Sequence, residues 1–197
     1  MIGFLVALLV SNAFEWFAHK YVLHGTRRSS GKGRFSPVPP LMTSHWTHHK
    51  EVRSSGDYSD DMYQSSYLQG HERIRAEINS LIVLCMLTTL VAPISLFFTL
   101  GTYYCALNYY YTHRRSHREP DWGKSKVPWH YDHHMNTNQD ANWCVTKPWF
   151  DYIMGTRVIS SKDLLESNPL GIKLPTKIED VLNRLARRFS PKTFAKI

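Results

Sequence analysis

Ten of the eleven histidines lie in four short clusters, and imidazole is a common ligand for transition-metal ions. The clusters have the spacings HxxxxH, HxxHH, HxxxH and HxxHH, and they contain His19 and His24; His45, His48 and His49; His113 and His117; and His130, His133 and His134. One ion takes about four to six ligands, so ten histidines suit two ions better than one. The sequence therefore predicts a centre that holds two metal ions.

Three of the four clusters have a spacing that places their imidazoles on one face of a helix. Residues three and four apart share a helix face, and both HxxHH clusters and the HxxxH cluster satisfy this rule. His19 and His24 are five residues apart, which is about 140° around an ideal α-helix. These two rings can converge only if the helix ends or unwinds near His24, where Gly25 follows. His71 stands apart from the clusters, and we expect it to be structural or to support a ligand.

The ligand types narrow the choice of metal. The zinc-protease motif HExxH is absent from the sequence, and so is the cysteine-rich ligation of structural zinc sites. An all-nitrogen site for two ions suits iron that reacts with O₂, although zinc or copper would bind it readily. Five polar residues are candidates to orient the imidazoles through their free N–H groups: Asp132, Asn138, Asp140, Asn142 and Asp151.

Apolar segments beside the clusters predict an integral membrane protein. Residues 1–18 contain one charged side chain, Glu15, and residues 81–112 contain none. About 20 helical residues cross a bilayer core, so residues 2–24 are predicted to be a spanning helix. Within the second tract, Pro93 predicts a turn and hence a hairpin or re-entrant pair; one kinked helix is the alternative.

The distribution of basic residues predicts the topology. The loop at residues 25–44 contains basic side chains and no acid, so the positive-inside rule places it on the cytoplasmic side. A hairpin at 81–112 would return the chain to that side and bring all four clusters to the cytoplasmic face, whereas a single span would separate them. The formal net charge of +8 fits an anionic membrane surface, and no nucleic-acid motif is present, so we expect no nucleic-acid partner.

These features predict an all-α fold, with an integral membrane helical domain under a cytosolic histidine-rich helical cap. Residues 1–157 form the predicted membrane di-metal domain, and residues 158–197 form a cytosolic C-terminal extension. Thr176 and Glu179 have the spacing of a capping box that opens a basic amphipathic helix in the extension. That helix would lie on the bilayer surface or pack on the cytosolic domain.

The order HxxxxH, HxxHH, apolar hairpin, HxxxH, HxxHH resembles the fatty acid hydroxylase/sterol desaturase superfamily of membrane non-haem di-iron oxygenases. The resemblance runs from about Glu15 to Thr156, and it includes Glu15-Trp16 and the segment from Asn142 to Thr156. The HxxxxH spacing is closer to the fatty-acyl 2-hydroxylase and carotenoid hydroxylase branches than to the sterol branch, where HxxxH is usual.

The resemblance implies that the ten clustered histidines hold two iron ions and that O₂ is a co-substrate. It implies hydroxylation of an unactivated C–H bond in a fatty acyl, carotenoid or sterol-like lipid. The sequence contains no cytochrome b5 domain, so we expect a separate electron donor of cytochrome b5 or ferredoxin type. Desaturation remains open, because it begins with the same hydrogen abstraction. A non-catalytic metal- or haem-binding membrane protein is a further alternative, but haem needs only one or two axial histidines.

Overall fold

A computed structural model describes residues 1–24, 40–70, 72–159 and 168–189. These residues form eight α-helices and no strand, which confirms the all-α prediction. The helices are α1 (Ile2–Phe17), α2 (Pro40–Ser55), α3 (Glu72–Thr89), α4 (Leu96–Arg118), α5 (Pro120–Lys126), α6 (Pro128–Met135), α7 (Trp149–Ile153) and α8 (Thr176–Phe189). A π-helical segment, Ala18–Leu23, continues α1, and a 3-10 turn, Asp61–Gln64, precedes α3. His71 lies outside the described residues.

The apolar tract at residues 81–112 forms the predicted hairpin. A turn that contains Pro93 joins α3 to α4. The Thr99 hydroxyl donates to the Thr88 carbonyl beside this turn at 3.2 Å, and at the other end of the hairpin His113 contacts Glu77 at 2.7 Å. The two helices are therefore antiparallel, and the alternative of one kinked helix is wrong. Proline causes a turn here because it cannot continue the helical hydrogen bonding of α3.

Helix α1 packs against α4 and runs parallel to it. Gly3 lies against Ser95 at the start of α4, and Gly101 lies against Ala7 one turn further along. A Cβ atom on Gly101 would be 2.6 Å from the Ala7 Cβ, so only glycine permits this close approach. Helices α1, α3 and α4 thus form a bundle whose π-helical end and hairpin turn lie at opposite ends.

The outer surface of this bundle is apolar. Exposed side chains include Leu5 and Leu9 on α1, Met86 on α3, and Phe97 and Leu107 on α4. Monomeric soluble proteins rarely expose apolar patches of more than a few hundred Å². By length and composition, one helix in the described part of the chain, Ile2–Leu23, is long and apolar enough to cross a membrane.

Three further helices, α2, α5 and α6, and the 3-10 turn cover the π-helical end of the bundle; with residues 136–159 they form the part of the structure that we call the cap. Helix α2 packs on both the π-helical segment and α6, and α5 connects α4 to α6. The predicted loop at residues 25–44 was too long, because α2 already begins at Pro40. Proline is tolerated there, since the first helical N–H groups have no partner within the helix.

The capping box predicted at the start of α8 is wrong. Thr176 is the first helical residue, and the Pro175 carbonyl accepts the N–H groups of Ile178 and Glu179 at 2.8 and 3.1 Å. The Glu179 carboxylate instead accepts the Leu174 N–H at 2.9 Å. Pro175 has no N–H to offer, so the carboxylate reaches the preceding residue.

Helix α8 has an apolar face that is only half-covered. It packs on α7, while Ile178, Val181 and Leu185 are 49, 47 and 47% exposed. Its placement on a bilayer surface stays a prediction. The segment before α8 is fixed to the cap, since the Lys147 ammonium donates to the Gly171 carbonyl at 3.0 Å.

Candidate metal centre

The ten clustered histidines converge at the junction of the bundle and the cap, and all ten are buried. Nine of them form two groups, in each of which one ring nitrogen per residue lies within 4.8 Å of the others. The five-histidine site contains His19, His24, His45, His49 and His133, and the four-histidine site contains His48, His113, His117 and His134. The tenth residue, His130, adjoins the four-histidine site.

The nitrogen–nitrogen distances in the five-histidine site match those of ligands around one ion. The His24 Nε2 atom is 3.1 Å from the Nε2 atoms of His45, His49 and His133, and the His19 and His45 Nε2 atoms are 3.0 Å apart. Imidazole nitrogens about 2.0–2.1 Å from a metal ion would be about 3.0–3.4 Å from one another. The site therefore has the dimensions of a metal-binding site.

Main-chain carbonyls determine which nitrogen of His19 and His133 is free to bind a metal. The Nδ1 atom of His19 is 2.6 Å from the Trp143 carbonyl oxygen, and that of His133 is 2.7 Å from the Ala141 carbonyl oxygen. A carbonyl oxygen only accepts, so Nδ1 must carry the hydrogen in both rings. Each Nε2 atom then points a lone pair into the site, where a cation would stabilise the converging lone pairs.

Carboxylates hold two rings of the four-histidine site. The Nδ1 atom of His48 is 2.6 Å from an Asp60 oxygen, and that of His113 is 2.7 Å from a Glu77 oxygen. The opposite nitrogen, Nε2, of His48 and of His113 is buried and has no hydrogen-bond partner in the described part of the chain. Both rings therefore have an Nε2 atom available to an ion.

The other two rings at this site, those of His117 and His134, are held differently. His117 donates through Nδ1 to the Tyr58 carbonyl at 3.0 Å, and its Nε2 atom is 3.2 Å from the His130 Nε2 atom. Neither ring nitrogen of His134 has a hydrogen-bond partner among the described residues. The donor sets of both sites thus fit transition-metal ions, and ligation by the ten histidines stays a prediction.

The π-helical segment explains how His19 and His24 reach one site. The His24 N–H donates to the His19 carbonyl at 3.0 Å, which is an i→i+5 bond. A turn of this width brings residues five apart to the same face, and the two ring centroids are 5.2 Å apart. As expected, the helix ends near His24, which is its C-terminal cap residue, and its last turn is widened into a π-helix. Gly25 lies outside the described residues.

Burial keeps the imidazoles of the cap neutral. It lowers the pKa of His133 to about 4, and together with neighbouring imidazoles it lowers the pKa of His45, His49 and His134 well below the ordinary value of 6.5. Neutral imidazole is the form that binds metal ions. At neutral pH these rings would therefore bind an ion without first losing a proton.

The five polar residues expected to orient the imidazoles have different positions. Asn138 and Asp140 are exposed in a turn where the Asp140 N–H donates to the Asn138 side chain at 3.0 Å. Asp132, Asn142 and Asp151 are buried. The structure therefore places three of the five in the interior of the cap and two on its surface.

Asp151 acts on His19 through the main chain. Its carboxylate accepts the N–H groups of Trp143 and Cys144, each at 2.8 Å. This contact fixes the segment whose Trp143 carbonyl accepts from His19. Asp151 thus positions His19 without contacting its ring.

A buried ion pair fixes the helix that carries the last HxxHH cluster. The Arg157 guanidinium donates to Asp132 on α6 at 2.7 Å and to the Asn142 side chain at 3.0 Å. Both charged side chains are fully buried. Arg157 was not identified from the sequence, because nothing about a lone arginine after the last cluster indicates its burial.

Asp60 and Glu77, which contact imidazoles, were also not identified from the sequence. Glu77 could have been found, because a hairpin centred near Pro93 places it opposite His113. No comparable signal indicates Asp60, which lies in a serine- and aspartate-rich stretch among other acids.

A cavity of about 780 Å³ runs inside the bundle and opens onto both histidine sites. Its wall includes Phe4 and Phe98 near the hairpin turn, and His19 and His113 at the end that adjoins the histidine sites. The helical distance from Phe4 to His19 is about 22 Å at 1.5 Å per residue. The cavity therefore offers an elongated apolar space that ends at the two sites.

Comparison with known proteins agrees with this arrangement. A family model described as fatty acid hydroxylase matches residues 4–156, which include all ten clustered histidines and the whole hairpin. Neither a curated protein nor a solved structure gave a significant match. Because the match covers most of the chain, the chain belongs to the fatty acid hydroxylase family.

Proposed function

We propose that this protein is a membrane-bound di-iron oxygenase that hydroxylates an unactivated C–H bond of a lipid, with O₂ as co-substrate. The proposal depends on one observation: the apolar cavity ends at two buried histidine sites. Membership of the fatty acid hydroxylase family supports the same reaction class.

The ten clustered histidines would hold two iron ions, although zinc would also bind such nitrogen donors and could replace iron on isolation. Iron bound there would supply the activation of O₂ and the oxidation of the C–H bond. The protein residues hold the imidazoles in fixed orientations: main-chain carbonyls fix His19 and His133, and carboxylates fix His48 and His113. Such preorganisation places the ligands correctly before the substrate arrives.

The cavity would bind the hydrocarbon part of the substrate. An acyl, carotenoid or sterol-like chain would lie between α1, α3 and α4, with its reacting carbon at the His19 and His113 end. Apolar walls would bind the chain by excluding water from it. The family supports a fatty acyl lipid first among these classes.

The apolar bundle would lie in the bilayer, with the cap on the cytoplasmic face. Exposed apolar side chains on α1, α3 and α4 support this placement, and so do the basic residues that follow α1 and α4 in the sequence. Both sites would then be accessible to a separate cytoplasmic electron donor of cytochrome b5 or ferredoxin type.

Mass spectrometry of host lipids would test the reaction. A host that expresses the chain should accumulate a lipid that has gained one oxygen atom, and a host that expresses His48→Ala should not. Loss of two hydrogens would instead establish the desaturase alternative. Unchanged lipids, or a haem Soret band in the purified protein, would contradict the proposal.

Filling the cavity should change the chain length of the product. Ala106 lines the cavity on α4, two helical turns before His113, so Ala106→Phe would obstruct a long chain. We expect turnover of long substrates to fall about 10-fold or more relative to short ones, since lost apolar contacts cost about 1–3 kcal/mol each. Competition between acyl chains of different lengths would measure this ratio.

Leu107→Phe is the matched control, because the neighbouring Leu107 side chain is 71% exposed on the outside of the bundle. It should leave the chain-length preference unchanged. Equal loss of long and short substrates in Ala106→Phe would contradict a substrate-binding role for the cavity. Thermal melting of both variants would show whether overpacking has damaged the fold.

A further inference from the structure

Among the described residues, the carboxylates that contact imidazoles belong to one of the two sites. Asp60 is buried and contacts the His48 Nδ1 atom at 2.6 Å. Glu77 contacts the His113 Nδ1 atom at 2.7 Å, and its other oxygen accepts from the Tyr63 hydroxyl at 2.8 Å. In the described ranges, both histidine–carboxylate contacts belong to the four-histidine site.

The described contacts of the five-histidine site are of a different kind. His19 and His133 donate to the main-chain carbonyls of Trp143 and Ala141. These acceptors carry no net charge. They orient the rings as well as a carboxylate does, but they add no negative charge to the site.

The kind of acceptor that contacts Nδ1 affects how tightly the site binds a cation. A carboxylate that accepts the Nδ1 hydrogen makes the opposite Nε2 atom a stronger donor, and such partners change metal affinity by about 10- to 100-fold. Its negative charge also offsets the charge of the ion across a buried, low-dielectric region. Both effects act at Nε2 of His48 and His113, which has no other partner among the described residues.

We propose that Asp60 and Glu77 make the two sites unequal, so that the four-histidine site binds a divalent ion more tightly than the five-histidine site. The inference rests on the proposed di-metal function. The two carboxylates are positioning residues, because they act on the ion through His48 and His113. In wild-type protein the four-histidine site should fill first and release its ion last to a chelator.

Zn²⁺ titration of the metal-free, full-length protein in detergent would test the inference. Each site is measured alone: His24→Ala/His45→Ala disables the five-histidine site, and His113→Ala/His117→Ala disables the four-histidine site. Asp60→Asn is then added to each background, and Zn²⁺ affinity is measured by competition with a chromophoric chelator. Asparagine retains an oxygen for the Met62 N–H, which Asp60 accepts at 2.9 Å, so the local turn should persist.

We expect Asp60→Asn to weaken Zn²⁺ binding at the four-histidine site by about 10- to 100-fold and to leave the five-histidine site within about 2-fold. Glu77→Gln should weaken Zn²⁺ binding in the His24→Ala/His45→Ala background to a similar extent, and it tests the inference independently if Asp60→Asn does not fold. Asp57→Asn is the matched control, because Asp57 is an exposed acid in the same loop and contacts Ser59.

Unchanged affinity of the four-histidine site, or equal weakening of both sites, would overturn the inference. A wild-type protein that binds fewer than two Zn²⁺ ions would instead overturn the proposed di-metal function. The two failures are therefore distinguishable within one set of titrations.

Discussion

His133→Ala is expected to remove one metal ion from each chain and to lower product formation at least about 100-fold, since even partners of ligands contribute about 10- to 100-fold. The His133 Nε2 atom is 3.1 Å from those of both His24 and His49, so it is one of the closely spaced nitrogens of the five-histidine site. Alanine would also leave the Ala141 carbonyl without the Nδ1 hydrogen that it accepts at 2.7 Å. Elemental analysis of the purified protein and mass spectrometry of the product would measure both effects.

Asp140→Ala is the control, because the Asp140 side chain is exposed in the turn after α6. It should retain two ions per chain. A His133→Ala protein that keeps both ions and full activity would show that the five-histidine site does not hold a metal. Loss of both ions together would show instead that the two sites depend on each other.

Arg157→Met is expected to lower the free energy of unfolding by about 3–5 kcal/mol, because removal of one partner leaves the other charge in a buried environment. The guanidinium contacts the fully buried Asp132 carboxylate at 2.7 Å and also donates to Asn142 and to the Val158 carbonyl. Asp132 lies between His130 and His133 on α6. Local disorder around Asp132 would therefore displace histidines at both sites. Chemical denaturation followed by circular dichroism would measure the loss.

The double variant Asp132→Asn/Arg157→Met should recover part of this stability, because it removes both charges together. Arg184→Met, on the exposed face of α8, should change the free energy of unfolding by no more than about 0.5 kcal/mol. If Arg157→Met destabilised the protein no more than Arg184→Met does, the ion pair would not be important for the fold.

The spacing of the histidines predicted which of them share a helix face. Pro93, within the apolar tract at residues 81–112, predicted the hairpin. The spacing could not predict the width of the turn between His19 and His24, because a π-helical turn depends on which carbonyl accepts each N–H. The same limit applies to the carbonyls of Trp143 and Ala141, since any residue type offers the same main-chain oxygen. Asn138 and Asp140 were selected for closeness in sequence, yet the chain turns outward after α6 and exposes both.

Sequence distance was also a poor guide to the partners of the rings. Glu77 is 36 residues from His113 and becomes its neighbour only through the hairpin. Arg157 reaches Asp132 across 25 residues that contain the whole loop between α6 and α7. The histidines of the two sites are repeated in recognisable spacings, whereas the residues that hold their rings in place are dispersed along the sequence.

The wide turn at Ala18–Leu23 bears on how related chains should be aligned. An HxxxxH motif on an i→i+5 turn and an HxxxH motif on an ordinary i→i+4 turn both direct two imidazoles to one side. A gap of one residue in this motif therefore need not move either histidine, because a wider π-helical turn accommodates the extra residue. Chains that differ by such a gap can share one metal geometry, and the gap alone is not evidence of a different centre.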